Sequence, residues 1–324
     1  MSFLKAEAER RLQNNPLMKL NDLVNWEDIG MMLGKMDRSG YGPQGYAPLS
    51  LFKALILQAW HSLSDPGLEE ALRVRLDFMT FTGFDMDIPD ETTFCRFRGL
   101  LNERGLWSKL LDEINRQLQS QHLQIKPAQA AIIDATLISS AARPRKTYKS
   151  LEKDGEIHVQ DNPQLSADPD AKWIKKGKTC IFGYKGFAIV GGEDGAIHRT
   201  HMTPANKSEC PEMERALGPL SPKRLLGDKG YASQANRDTL KELGIKDGLM
   251  HKAKRGRPLT SGQKLFNKVV SKTRFRVEQC FGTLKRKFYF SRSSYMGLDK
   301  TWGQFIAKAI AFNLNKALRQ VNYA

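Results

Sequence analysis

The chain is poor in cysteine and has no long apolar run. Its four cysteines, Cys95, Cys180, Cys210 and Cys280, stand far apart, with no Cys-x-x-Cys pair and no histidine at ligand spacing, which argues against a disulfide framework and a zinc site. No apolar stretch approaches the roughly 20 residues that span a bilayer. Met1 to Arg11 alternates charge where a signal peptide carries an apolar segment. These absences predict a cytoplasmic protein with no membrane part. Acid is also in short supply: 51 Lys and Arg against 35 Asp and Glu leave a net charge of +16 over 324 residues, with a pI near 9.7, and an excess of this size predicts a polyanionic partner.

The excess is unevenly placed. Residues 1–125 hold 14 basic and 17 acidic side chains, whereas residues 126–324 hold 37 and 18. The asymmetry predicts a helical accessory domain over 1–125 joined to a polyanion-handling domain over 126–324.

Periodicity supports that division. Leu49–His61 is apolar, Ser64-Asp65-Pro66 supplies a capped start for a helix reaching about Met79, and Pro89-Asp90 opens another over Glu91–Glu103. Trp107, Leu110, Leu111, Ile114 and Leu118 recur at helical spacing. From Ala130 the pattern turns to short strand-type runs: Ala130–Ile133, Thr179–Val190, Ala196–Met202, Arg224–Gly227 and Ile245–Met250. Helices are expected over Glu209–Leu217, Ser233–Leu243, Gln263–Phe288 and Trp302–Arg319. This order predicts an α/β RNase H-like domain, a mixed sheet flanked by helices, preceded by an all-α N-terminal domain. Ser139–Lys178, polar and with nine Lys and Arg, reads as a long basic loop. His251–Pro258, HKAKRGRP, reads as a shorter one. Either is solvated linker or DNA contact.

Three acidic residues carry the chemistry. Asp134 follows the apolar run AAII and is expected at the end of a strand buried on both faces. Asp228 repeats that arrangement in LLGDKGY, where the glycine permits a tight turn. Glu278 lies on the last long helical stretch, and at about 100° per residue it shares a stripe with Arg274 and Lys285, while Val277, Phe281 and Leu284 form a neighbouring apolar face. Taken singly, the aspartates read as turn formers and the glutamate as an i, i+4 partner of Arg274. Together they repel unless a cation compensates, and an all-oxygen donor set selects Mg²⁺ or Mn²⁺ over zinc. Two such ions activate a nucleophile and stabilise the leaving oxygen of an in-line phosphoryl displacement.

Asp134 in IIDAT, Asp228 in GDKGY and the R-x3-E-x6-K pattern at Arg274, Glu278 and Lys285 resemble the DDE transposases of bacterial insertion sequences, particularly the number-five insertion-sequence family and its number-four relatives. DETTFCRFRGLL and TPANKSE around Asn206 extend the resemblance over nearly the whole chain. Ser271 stands where that family has a Tyr three residues before the Arg. The resemblance implies an enzyme with two Mg²⁺ ions (or Mn²⁺) held by Asp134, Asp228 and Glu278. It implies cleavage at the terminal inverted repeats of an element and joining of 3′-hydroxyl ends to target DNA. Its partner is double-stranded DNA of both kinds, its active form a homodimer, and its place the bacterial cytoplasm, on the nucleoid when bound. Arg274 and Lys285 are expected on phosphates near the scissile bond; Tyr231, Lys252, Lys254, Arg255, Arg257, Arg276, Arg286 and Lys287 are expected along the wider DNA track. Arg96 and Arg98 are candidates for reading transposon ends, if the N-terminal helices recognise DNA rather than only dimerise.

Two other readings stay open: an RNase H-like nuclease that cuts without joining, and a non-catalytic DNA-binding regulator. A glycosidase with paired carboxylates is a remote third, lacking an aromatic sugar platform and burdened by the basic C-terminal half.

Overall fold

The computed structural model describes residues 10–12, 15–34, 45–124, 130–142, 148–153, 156–161 and 167–323, with the backbone alone for 148–161 and 322–323. The N-terminal part is helical, its described helices including α1 (Pro16–Leu23), α2 (Trp26–Gly34), α3 (Pro48–His61), α4 (Asp65–Val74), α5 (Leu76–Thr82), α6 (Glu91–Glu103) and α7 (Leu106–Ser120). Local chemistry starts several of them. Asn15, Ser64 and Asp90 accept from the amides of Leu17, Gly67 and Thr93 at 2.8, 3.1 and 2.7 Å, satisfying donors that a first helical turn leaves free. The helix expected from Ser64 to Met79 is instead broken at Arg75, whose φ of −98° and ψ of 110° are extended. Asp77 fixes the break, because its carboxylate accepts from both the Arg75 guanidinium and the Phe78 amide.

The second part is built on β1 (Ala131–Ser139), β2 (Tyr148–Lys153), β3 (Glu156–Asp161), β4 (Lys172–Lys176), β5 (Thr179–Gly191), β6 (Ile197–Pro204), β7 (Arg224–Gly227) and β8 (Lys246–Leu249). Its helices are α8 (Met213–Leu217), α9 (Gln234–Glu242), α10 (Ser261–Arg286) and α11 (Leu298–Tyr323). The six-stranded sheet runs β4-β5-β1-β7-β8, with β6 also on β5. Strands β1, β5 and β6 are antiparallel, while β7 and β8 run parallel to β1. This is the expected mixed RNase H-like sheet flanked by helices.

Residues 139–178 are not the single long loop expected. β1 runs on to Ser139, β2 and β3 form a separate antiparallel ribbon, and β4 pairs with β5. The return from this insertion is anchored by Asp168, fully buried, which accepts from Ser140 Oγ and Tyr184 Oη, both at 2.5 Å, and from the Gly297 amide at 3.1 Å.

Alternation along the strands sorts side chains to two faces. Ile133, Phe187 and Ile189 pack with α8, α9 and Tyr231 on one face; Ile132, Ile138 and Val190 join a larger core with α10, α11 and the N-terminal helices on the other. Helix α11 packs against α3, α7 and β6. At its centre the buried Asn313 accepts from the Ile197 amide at 2.9 Å and donates to the Ile197 carbonyl at 2.7 Å and to Asn115 at 2.8 Å. The apolar core therefore continues across both parts of the chain, and the expected boundary at 125/126 falls outside the described residues. Among the described residues no helix is long and apolar enough to cross a membrane.

Candidate active site

The site lies at the carboxyl edge of the central parallel strands. The last parallel pair of β1 and β7 is Ile132 with Leu226, so two residues further along each chain come Asp134 and Asp228. Their side-by-side placement follows from the register. Gly227 permits it, because a Cβ there would lie 2.8 Å from Leu249 Cδ2 and 3.1 Å from Ile133 Cγ2. Asp134 does not end its strand as expected; it is the fourth of nine residues in β1, at the point where full burial stops. The strand continues because β5 pairs with it as far as Ser139, after β7 has turned away.

Asp134 is on the face covered by α10. Its Oδ1 accepts from the Ala135 amide at 2.9 Å and its Oδ2 from Arg274 at 2.7 Å. Burial pushes the Asp134 carboxyl above the usual range and the Asp228 charge adds to this, while Arg274 and the Ala135 amide oppose it. Asp228 caps the short turn Lys229–Tyr231 by accepting from the Gly230 amide at 2.6 Å. Tyr231, expected along the DNA track, is instead fully buried against the sheet, out of reach of a duplex, and its hydroxyl has no hydrogen-bond partner. Burial, then the charges of Glu209, Asp134 and Asp228, hold that hydroxyl well above its ordinary pKa.

Glu209 is not among the residues that the sequence motifs single out, although the TPANKSE stretch that contains it is. A Cβ on Gly230 would lie 2.8 Å from Asp228 Oδ1 and 3.1 Å from Glu209 Oε2, so the two carboxylates flank one glycine. The buried ammonium of Lys185 stands 3.5 Å from Glu209 and donates to the Lys207 carbonyl at 2.7 Å. The usable signal was an acid a few residues beyond the end of a strand adjoining β1's partner.

Glu278 is exposed on α10, one turn beyond Arg274. Among the described residues no three His, Cys, Asp or Glu side chains converge in a group able to hold a metal ion. Asp134, Asp228, Tyr231 and Arg274 are thus brought together, and Glu278 is not drawn into a three-acid cluster with them. Like charges do not converge without a cation, and the cation beside Asp134 is the Arg274 guanidinium. Lys285 is half-buried, its pKa lowered by burial and by nearby Lys176. Ser271 and Phe275 are exposed on the same helix.

The basic loop after β8 is on the same sheet edge, since β8 runs parallel to β7. Lys254 bridges to Arg257 around Gly256, at φ +74°, leaving Lys252, Lys254, Arg255 and Arg257 exposed. Asn267 of α10 secures the loop's start, accepting from the His251 amide at 2.8 Å and donating to its carbonyl at 3.0 Å. Arg276, Arg286 and Lys287 are elsewhere: Arg276 is about 200° around the helix from Arg274.

The two N-terminal arginines part company. Arg96 is exposed on α6. Arg98 is directed inward, ion-paired to Asp65 with its side chain 11% exposed, and lies 4.4 Å over the Tyr295 ring; it is a packing residue and is not free to read DNA.

Residues 125–314 match the family model described as a transposase DDE domain, and residues 5–100 match one described as a transposase domain, DUF772. A transposase for insertion sequence element IS1106 from Neisseria meningitidis serogroup B is 42% identical over 231 residues, covering 71% of this chain and 79% of that protein. Among solved structures, the piggyBac transposase synaptic complex with hairpin DNA aligns at a TM-score of 0.44 and 10% identity, over 97% of this chain and 84% of that one. The Mos1 strand transfer complex aligns at 0.19 and 13% identity, over 88% and 80%.

Proposed function

The chain belongs to the DDE transposases, and from that premise we propose that it binds the terminal inverted repeats of an insertion sequence, cleaves phosphodiester bonds there and joins the 3′-hydroxyl ends to target DNA. The observation that carries the reading is the register that sets Asp134 beside Asp228 with the exposed basic loop 251–258 on the same edge.

The donor set suits a divalent cation. It is all oxygen, and the buried Asp134 carboxyl and its neighbour Asp228 both gain from added positive charge. We assign Asp134, Asp228 and Glu278 as ligands of two Mg²⁺ ions, for which Mn²⁺ can substitute. When bound, the metal supplies Lewis-acid stabilisation of the charge that develops on phosphoryl oxygens. Arg274 opposes the upward push of burial on the Asp134 carboxyl and orients it through its 2.7 Å contact. Its planar guanidinium fork also suits a phosphate oxygen. Lys285 adds positive charge along the same stripe of α10. Lys252, Lys254, Arg255 and Arg257 extend the phosphate track, and positioning contacts of this kind carry no sequence information. Residues 1–125 serve end recognition or dimerisation, with exposed Arg96 as the candidate contact, and 126–324 form the catalytic part. Joining two ends requires two active sites held together, so the active form is a homodimer.

The test is Mg²⁺-dependent cleavage and strand transfer on DNA carrying the element's own ends, comparing the native protein with Glu278→Gln. Loss of both reactions with DNA binding retained supports the assignment. Undiminished activity in the variant removes Glu278 from the site, and native cleavage without joining reduces the protein to a nuclease.

A further inference from the structure

Helix α10 carries a second basic face, turned away from the carboxylates. Arg276, Gln279, Thr283 and Arg286 lie about 200°, 140°, 180° and 120° around the helix from Arg274. They face Asn315, Lys316 and Arg319 of α11 across a cleft of about 330 Å³, closed at one side by the β5–β6 turn at Asp194-Gly195.

The charge in this cleft is unbalanced. Four cations, Arg276, Arg286, Lys316 and Arg319, share it with one acid, Asp194, whose Oδ1 already accepts from the Ala196 amide at 3.0 Å. Lys287, at the rim, donates to Asn315 at 2.7 Å. The Lys316 ammonium is disfavoured by burial and by Arg276, with Asp194 opposing. Lys287 is disfavoured by burial and by Arg319. Cations held this close repel one another unless an anion joins them.

We propose that this cleft binds the phosphate backbone of a second DNA duplex, separate from the duplex at the carboxylate edge. This rests on the reading of the chain as a DNA-joining enzyme, which must hold an end and a target together. The cations run in two rows along neighbouring helices rather than converging on a point, which suits a chain of phosphates better than a single one. From Arg276 to Arg286 the helix rises about 15 Å, a length of axis over which one strand of B-form DNA presents about four phosphates. Backbone contacts of this kind are blind to sequence, as a target-DNA site requires.

The experiment is a salt titration of short duplex binding by the full chain without metal, using DNA that lacks the element's ends. It compares the native protein with Lys316→Gln/Arg319→Gln and with Lys252→Gln/Arg255→Gln. The native chain is expected to take up two duplexes. The Lys316/Arg319 pair is expected to leave one and to lower the slope of log K against log salt by roughly 1.8, at about 0.9 for each lost phosphate contact; the Lys252/Arg255 pair removes the other duplex. Native stoichiometry and slope in the Lys316/Arg319 variant would overturn the proposal, as would saturation of the native chain by one duplex. If that variant melts early, Arg276→Gln/Arg286→Gln, on the opposite wall, gives the same reading. Two-duplex binding by a native protein that shows no Mg²⁺-dependent cleavage would sustain the cleft while rejecting the enzymatic reading.

Discussion

Asp65–Arg98 in the helical layer and Asp134–Arg274 on the sheet are the same chemical pair at similar exposure, 22% and 11% for the first and 15% and 13% for the second. Their surroundings differ. Asp65 accepts from Gln58 at 2.6 Å and from both arms of Arg98, whose guanidinium also donates to the Gln58 side-chain Oε1 and lies over the Tyr295 ring. Around Asp134 the Arg274 Nε and the Tyr231 hydroxyl are buried without partners, and a second carboxylate adds repulsion. A pair that serves folding closes its network, because an unmet buried polar group costs free energy. A pair beside unmet donors and a second acid still has charge compensation to gain, which a bound cation would supply.

Crossing the two pairs tests this contrast most severely. Asp134→Asn is expected to cut DNA cleavage by at least about 10³-fold, with a smaller loss of stability than Asp65→Asn because it also relieves repulsion with Asp228. Asp65→Asn is expected to cost about 2 kcal/mol in urea unfolding, less than the full penalty for breaking a buried pair because both side chains keep some solvent contact. Cleavage per folded molecule should stay near native in that variant. Swapped outcomes would dissolve the distinction between the pairs.

Lys308 extends the comparison to a cation with no acid beside it. It donates to the Phe288 carbonyl at 2.6 Å and to Ser62 at 3.2 Å, and burial lowers its pKa from 10.5 to about 8. Below pH 8 the lysine is charged in both states. As pH rises from 8 toward 10.5 the unfolded chain holds more protons than the folded one, so stability rises. The stability difference between the native chain and Lys308→Met should shift in the native chain's favour by about 1–2 kcal/mol between pH 8 and 9.5. A pH-independent difference would show that Lys308 is not the titrating group.

The smallest effect is expected from Tyr231→Phe. Because the hydroxyl has no partner in the fold, its removal should change unfolding free energy by less than about 1 kcal/mol. A larger loss would place Tyr231 with the closed network of Asp65 instead.

The two aspartates were legible because short apolar runs leading into Asp-Ala-Thr and Gly-Asp-Lys-Gly are local patterns. Arg274 was legible because helical spacing puts it one turn before Glu278. The β2–β3 ribbon was not, since polar residues with many cations in 139–178 read as linker and outweigh the short alternation of Ile157 and Val159 in β3. The break at Arg75 was hidden for a similar reason: it depends on how Asp77 distributes its hydrogen bonds. Glu209 was passed over because nothing local distinguishes it from any other acid after a strand.

The sequence by itself determined most of the elements, the mixed sheet and the concentration of positive charge after residue 125, all of which depend on periodicity and composition within short windows. Only the tertiary structure decided which cations are already neutralised. Arg98 faces Asp65 from 33 residues away and Arg274 faces Asp134 from 140, and the strength of each pair is set by distance and burial, which no short stretch of chain contains.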